Sequence, residues 1–195
     1  VLCDEGGFTV EQARRVLERA RGLGMGLKVH ADRFQAWGGA RLATEMGAVS
    51  ADHLVSIPPE DVERLGASDT VAVLLPATSF GLGLHRYAPA RAILEAGGIL
   101  ALGTNCNATT SWCESMPLVI ALACRYLHLT PEEALVAATL NGAFAIGMGG
   151  VVGSLQVGWA ADILVLNLPD VQHLGYRFGT NPVDQVIKGG RVVIG

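Results

Sequence analysis

Short apolar runs separated by longer amphipathic stretches recur along the first hundred residues of this chain. Leu27–Val29 ends in His30, Gly47–Asp52 closes in His53, Thr70–Leu75 is stopped by Pro76, and Ile99–Thr104 runs into Asn105. Such runs, bounded by turn formers, predict buried strands. Between them lie helix signals. Thr9 followed by Gln12 is a capping box that opens a helix to about Leu23, Ala36–Met46 has helical texture, Pro58-Pro59-Glu60 is a helix start, and Pro89–Glu95 predicts another helix. The resulting βαβαβαβ order predicts a parallel sheet in an α/β fold.

Two further helices are expected, over Ser115–Leu127 and from the cap Thr130-Pro131-Glu132-Glu133 to about Ile146. Beyond Gly149 the texture changes to short β-like pieces at Gly153–Leu155, Ala161–Leu166, Gln185–Lys188 and Arg191–Ile194. Gly189-Gly190 supplies the turn of a hairpin between the last two. The pattern therefore divides the chain into an α/β body over residues 1–149 and a β segment over residues 150–195. Val1-Leu2-Cys3-Asp4 reads as the end of a strand without its start, so the chain is expected to be a fragment of a longer protein or an incomplete reading frame.

Composition narrows the function classes. Among 195 residues, 50% are apolar and 16% charged, a core-rich balance that excludes disorder. A net charge of −4 without a basic block argues against nucleic acid and anionic membranes as partners and favours a small-molecule substrate. No apolar stretch reaches the roughly 18 residues of a membrane span. Four cysteines, Cys3, Cys106, Cys113 and Cys124, lack CxxC spacing, so reduced thiols in a cytoplasm are expected.

The candidate chemistry sits at strand ends, where parallel α/β folds place it. A histidine on a strand is either a satisfied structural residue or a ligand. Two of them, His30 and His53, closing successive strands are the arrangement of a metal-dependent hydrolase half-site, because neutral imidazole binds zinc or iron and can also shuttle protons. Asp32 and Asp52 are placed to orient these imidazoles, or serve as ordinary loop carboxylates. Arg33 can pair with a substrate carboxylate. The polar segment Gly103–Ser111 follows a buried strand, and its Asn107, Thr109, Thr110 and Ser111 are candidate substrate contacts, unless it is only a long loop of turn formers. His85, His128 and His173 lack a strand-end context. Gly22-Leu23-Gly24-Met25-Gly26 follows a helix and precedes a strand, the wrong order for a phosphate cradle.

Several strings together resemble the imidazolonepropionase family of the amidohydrolase superfamily. They are Val29-His30-Ala31-Asp32, Gly47-Ala48-Val49-Ser50-Ala51-Asp52-His53-Leu54, Val71–Pro76, Thr130–Leu135, Gly153–Gly158 before Ala161-Asp162-Ile163, and Tyr176–Asn181. The resemblance implies the C-terminal half of a metal-dependent (β/α)8 TIM barrel with part of a small β-sandwich. It implies hydrolytic opening of 4-imidazolone-5-propanoate to N-formimino-L-glutamate in histidine degradation, one Zn or Fe ion, and a homodimer in the complete enzyme. By position, His30 matches the metal-binding histidine and His53 the histidine that assists catalysis. Asn107 matches a substrate-binding asparagine. Asn105 occupies the place of the carboxylate that binds metal and accepts a proton, and Ala108-Thr109 stands for Pro-Gly. The His-x-His metal pair of the first barrel strand has no counterpart, and Arg33 stands where many relatives carry Glu. An amide binds zinc far more weakly than a carboxylate and accepts no proton, so the chain alone is expected to be inactive. The alternatives are an inactive relative that binds a small ligand or partner, and an amidohydrolase acting on another cyclic amide.

Overall fold

The computed structural model describes residues 1–195. Five strands, β1 (Leu2–Cys3), β2 (Lys28–Ala31), β3 (Ser50–His53), β4 (Val71–Leu74) and β5 (Leu100–Leu102), form one parallel sheet in sequence order. Helices α1 (Val10–Gly22), α2 (Gly39–Glu45), α3 (Pro59–Gly66), α4 (Pro76–Gly81) and α5 (Ala90–Glu95) lie in the connections. They are followed by α6 (Met116–Tyr126), α7 (Pro131–Ala138) and α8 (Leu140–Ala145). A three-stranded antiparallel sheet of β6 (Ile163–Leu166), β7 (Val183–Lys188) and β8 (Arg191–Ile194) completes the chain. This is part of a TIM barrel with a small β appendage. No helix is long and apolar enough to cross a membrane.

Register and side-chain alternation give the sheet two unlike faces. Cys3, Val29, Ala31, Ala51, Ala72, Leu74, Leu100 and Leu102 share the face covered by helices, and all are buried. Three alanines in this row let the helices approach closely: a Cβ on Gly39 would lie 2.8 Å from that of Ala31 and 2.8 Å from the Cys3 carbonyl oxygen. The opposite face carries Leu2, Lys28, His30, Ser50, Asp52, Val71, Val73 and Ala101. Lys28 is exposed and His30, Asp52 and Val73 are half-buried there.

Capping chemistry sets the helix starts. The capping boxes of Thr9 with Gln12 and Thr130 with Glu133 both form. Pro76, which stops β4 as expected, also begins the short helix α4, a role for proline at a first helical position that the sequence reading lacked. The helix expected from Thr130 to Ile146 is two helices. Thr139, at φ −120° and ψ −86°, donates its hydroxyl back to the Leu135 carbonyl at 2.7 Å and turns the chain. The turn lets Asn141 Nδ2 donate to the Leu100 carbonyl of β5 at 2.8 Å. Gly153–Leu155 is not a strand. Gly153 has φ 91°, and a Cβ there would meet the Thr139 carbonyl oxygen at 2.8 Å, so the segment is shaped by packing on the α7–α8 turn. The β7–β8 hairpin turns on Gly189 and Gly190 at φ 55° and 79°, as expected.

Asp32 does not orient an imidazole. Its carboxylate is fully buried and accepts the backbone N–H groups of Trp37 (2.7 Å), Gly38 (2.9 Å), Gly39 (3.2 Å) and Ala40 (2.8 Å). It thereby closes the loop after β2 and satisfies the start of α2, where negative charge is favoured. Truncation would strand these donors out of reach of water. Asp32→Ala is expected to lower the unfolding free energy by about 3 kcal/mol or more in urea titration, and Asp32→Asn by less. The thiols give a second check on packing. Cys3 is buried and its pKa is pushed up to about 11, first by burial and then by Asp32 and Asp4, whereas Cys106 is exposed. Iodoacetamide at pH 8 should therefore label Cys106 rapidly and Cys3 only after denaturation, read by peptide mass spectrometry.

Candidate active site

Asp4, His30 and His53 meet at the carboxyl ends of β1, β2 and β3. His30 belongs to the uncovered face by register. His53 pairs with Ala31 and would point to the helix side, but its φ of 82° breaks the alternation. Its ring lies against that of His30, with centroids 4.1 Å apart and planes inclined by 47°. Asp32, His53, Leu54 and Asn105 all adopt positive φ, so non-glycine backbone in the left-handed region is concentrated just past the strand ends.

Asp4 is a site residue that the sequence reading missed. It stands to β1 as His53 does to β3, at the point where the strand stops, and that position was the signal available. Its carboxylate is fully buried, accepts N–H of Arg33 and of Glu5 at 2.8 Å each, and places Oδ2 3.3 Å from His30 Nε2. Burial opposes its ionisation, yet the His30 contact and the two backbone donors together hold its pKa below the usual carboxylate range. The His30 contact is close but not an aligned hydrogen bond, and Nε2 is buried without a partner.

His53 is 2% exposed, and its pKa is lowered to about 3. Burial is the main cause, helped by the charges of His30 and Arg33 and opposed by Asp4. At neutral pH it is an uncharged imidazole, with one ring nitrogen donating and the other able only to accept a hydrogen bond. Arg33 approaches the same rim. Its guanidinium lies 4.2 Å from the Phe34 ring centroid, donates to no protein group, and has a buried, unpartnered Nε.

Asn105 follows β5 on this rim. Its Nδ2 donates to Thr78 Oγ1 of α4 at 2.8 Å. Asn107 organises the loop beyond: both its N–H bonds are committed, to the Asn105 carbonyl (2.6 Å) and Thr110 Oγ1 (3.1 Å). Its Oδ1 accepts from the backbone and hydroxyl of Thr109 (3.0 and 2.7 Å) and of Thr110 (2.9 and 3.2 Å). A substrate oxygen would have to replace one of these partners. Ser111 donates to the Thr104 carbonyl at 2.9 Å. Asp52 also differs from expectation, since it accepts from Ser50 Oγ at 2.6 Å and bonds to neither imidazole.

The expected zinc or iron would need His30 among its ligands. The orphaned His30 Nε2 is what a reserved ligand nitrogen looks like, but no three His, Cys, Asp or Glu side chains, Asp4, His30 and His53 included, are placed to hold a metal ion together. The residues present do not complete a metal centre by themselves.

The sequence pattern of the amidohydrolase family matches residues 4–193. The chain is 58% identical over 193 residues to an imidazolonepropionase of Herpetosiphon aurantiacus, covering 99% of this chain and 45% of that protein. It is 45% identical over 194 residues to an imidazolonepropionase of Geobacillus kaustophilus, covering 100% of this chain and 46% of that protein. The chain thus spans about half the length of the curated relatives it matches. Among solved structures, a zinc-bound adenosine deaminase from Xanthomonas campestris superposes with a TM-score of 0.77 at 23% identity, over 95% of this chain and 49% of that one. A 5-methylcytosine deaminase from Klebsiella pneumoniae superposes with a TM-score of 0.78 at 18% identity, over 95% of this chain and 52% of that one. The distant structures share the fold, and the match over residues 4–193 shows that this chain belongs to the amidohydrolase family.

Proposed function

We propose that the protein to which this chain belongs hydrolyses 4-imidazolone-5-propanoate to N-formimino-L-glutamate. The observation that carries this reading is the conjunction, on one rim, of a buried neutral His53 with an Arg33 guanidinium free of protein partners. The similarity to imidazolonepropionases supports the choice of substrate.

Water adds to the ring carbonyl, the ring C–N bond breaks, one water proton passes to the departing nitrogen, and the other is released as the new carboxyl group ionises to carboxylate. Arg33 suits the propanoate end, where its planar fork can form two parallel hydrogen bonds. His53 suits the reacting end: uncharged, it can donate its ring N–H to the oxygen that becomes negative as water adds. Asp4 positions His30, and the loop built on Asn107 shapes the opposite wall.

A second reading, a relative that binds but does not turn over, has Asn105 in its favour. Its amide is turned to Thr78 and supplies no proton acceptor.

The two readings separate in a protein completed with the remaining length of the Herpetosiphon aurantiacus relative, with product followed by chromatography. Asn105→Asp should raise turnover by at least on the order of 100-fold, the usual size of a general-base contribution. In that repaired protein His53→Ala should lower turnover by a similar factor while the melting curve is largely kept. Unchanged rates in both variants would favour the binding-only relative.

A further inference from the structure

The uncovered face of the sheet carries a polar chain that the reading above does not use. Lys28 pairs in register with Ser50, and His30 with Asp52, so all four side chains share that face. Lys28 Nζ donates to the carbonyl of Ala145 at 2.7 Å and to Ser50 Oγ at 2.6 Å. Ser50 Oγ donates to Asp52 Oδ1 at 2.6 Å. Ala145 ends α8, and a helix end offers carbonyls without helical partners, where a cation is favoured. The chain is therefore anchored at one end on a helix terminus and finishes at the other on a carboxylate level with His30.

The direction of these bonds is fixed. An ammonium can only donate, so the buried Ser50 hydroxyl accepts from Lys28 and must give its single proton to Asp52. Asp52 Oδ1 is thereby occupied, while Oδ2 receives no protein donor. A carboxylate oxygen held in place, facing the barrel interior beside His30, is the complement of an N–H group. We infer that Asp52 is a further substrate-binding residue, accepting a hydrogen bond from a ring N–H of a cyclic amide, and that Lys28 and Ser50 are positioning residues that aim it. The inference rests on the proposed function for its substrate class.

The experiment uses the completed protein and two probes, hydantoin, a cyclic amide with two ring N–H groups, and 1,3-dimethylhydantoin, which has none. In calorimetric titrations hydantoin should bind at least about 10-fold more tightly, the scale of a hydrogen bond to a charged group. Asp52→Ala should remove that preference, and Asp52→Asn, which keeps the side-chain shape if the alanine variant fails to fold, should reduce it several-fold. Lys28→Met should weaken the preference and Lys28→Arg should restore it, an outcome that a purely structural role would not give. Equal binding of the two probes, no binding of hydantoin, or a preference that survives in folded Asp52 variants would overturn the assignment. If the preference behaves as expected but imidazolone-propanoate is not hydrolysed, the proposed reaction fails and the assignment of Asp52 stands. If hydrolysis proceeds without the preference, the reverse holds.

Discussion

Parallel strands spend their backbone hydrogen bonds on their neighbours, and here one row of side chains is spent on the covering helices. On the face that carries Cys3, Ala31, Ala51, Ala72 and Leu102, every one of these side chains is buried. Lys28, His30, Ser50 and Asp52 are thereby confined to the opposite face, and the remaining chemistry to the strand ends. The same constraint explains the bent backbone at His53. Continued as a strand, this residue would drive an imidazole into the helical layer, and a left-handed φ returns it to the rim beside His30.

Two buried carboxylates at neighbouring strand ends show how burial alone fails to identify function. Asp32 accepts four backbone N–H groups and has nothing left to offer, so it is part of the scaffold that starts α2. Asp4 accepts two and turns its remaining capacity toward His30. What separates them is the number of donors already supplied by the backbone, not the degree of burial.

Asn105 is where this chain departs most from the chemistry of its rim. With its amide pointed at Thr78, it places a neutral, hydrogen-bonded group at the end of β5. The Asn107 turn beyond it depends on the Asn105 backbone carbonyl and not on its side chain. A change at Asn105 can therefore alter chemistry while leaving structure in place.

The sequence by itself determined the parallel α/β order, the capping boxes at Thr9 and Thr130, the Gly189-Gly190 hairpin and the two strand-end histidines. Each of these is a local signal: hydrophobic period, cap chemistry, positive-φ glycine, or the polar residue that ends an apolar run. Only the tertiary structure decided that the helix begun at Thr130 breaks at Thr139, that Asp32 serves α2, that Asp4 joins His30, and that Lys28 and Asp52 are ends of one polar chain. These depend on partners up to 117 residues away along the chain, brought together by strand register and helix packing, which no local pattern encodes.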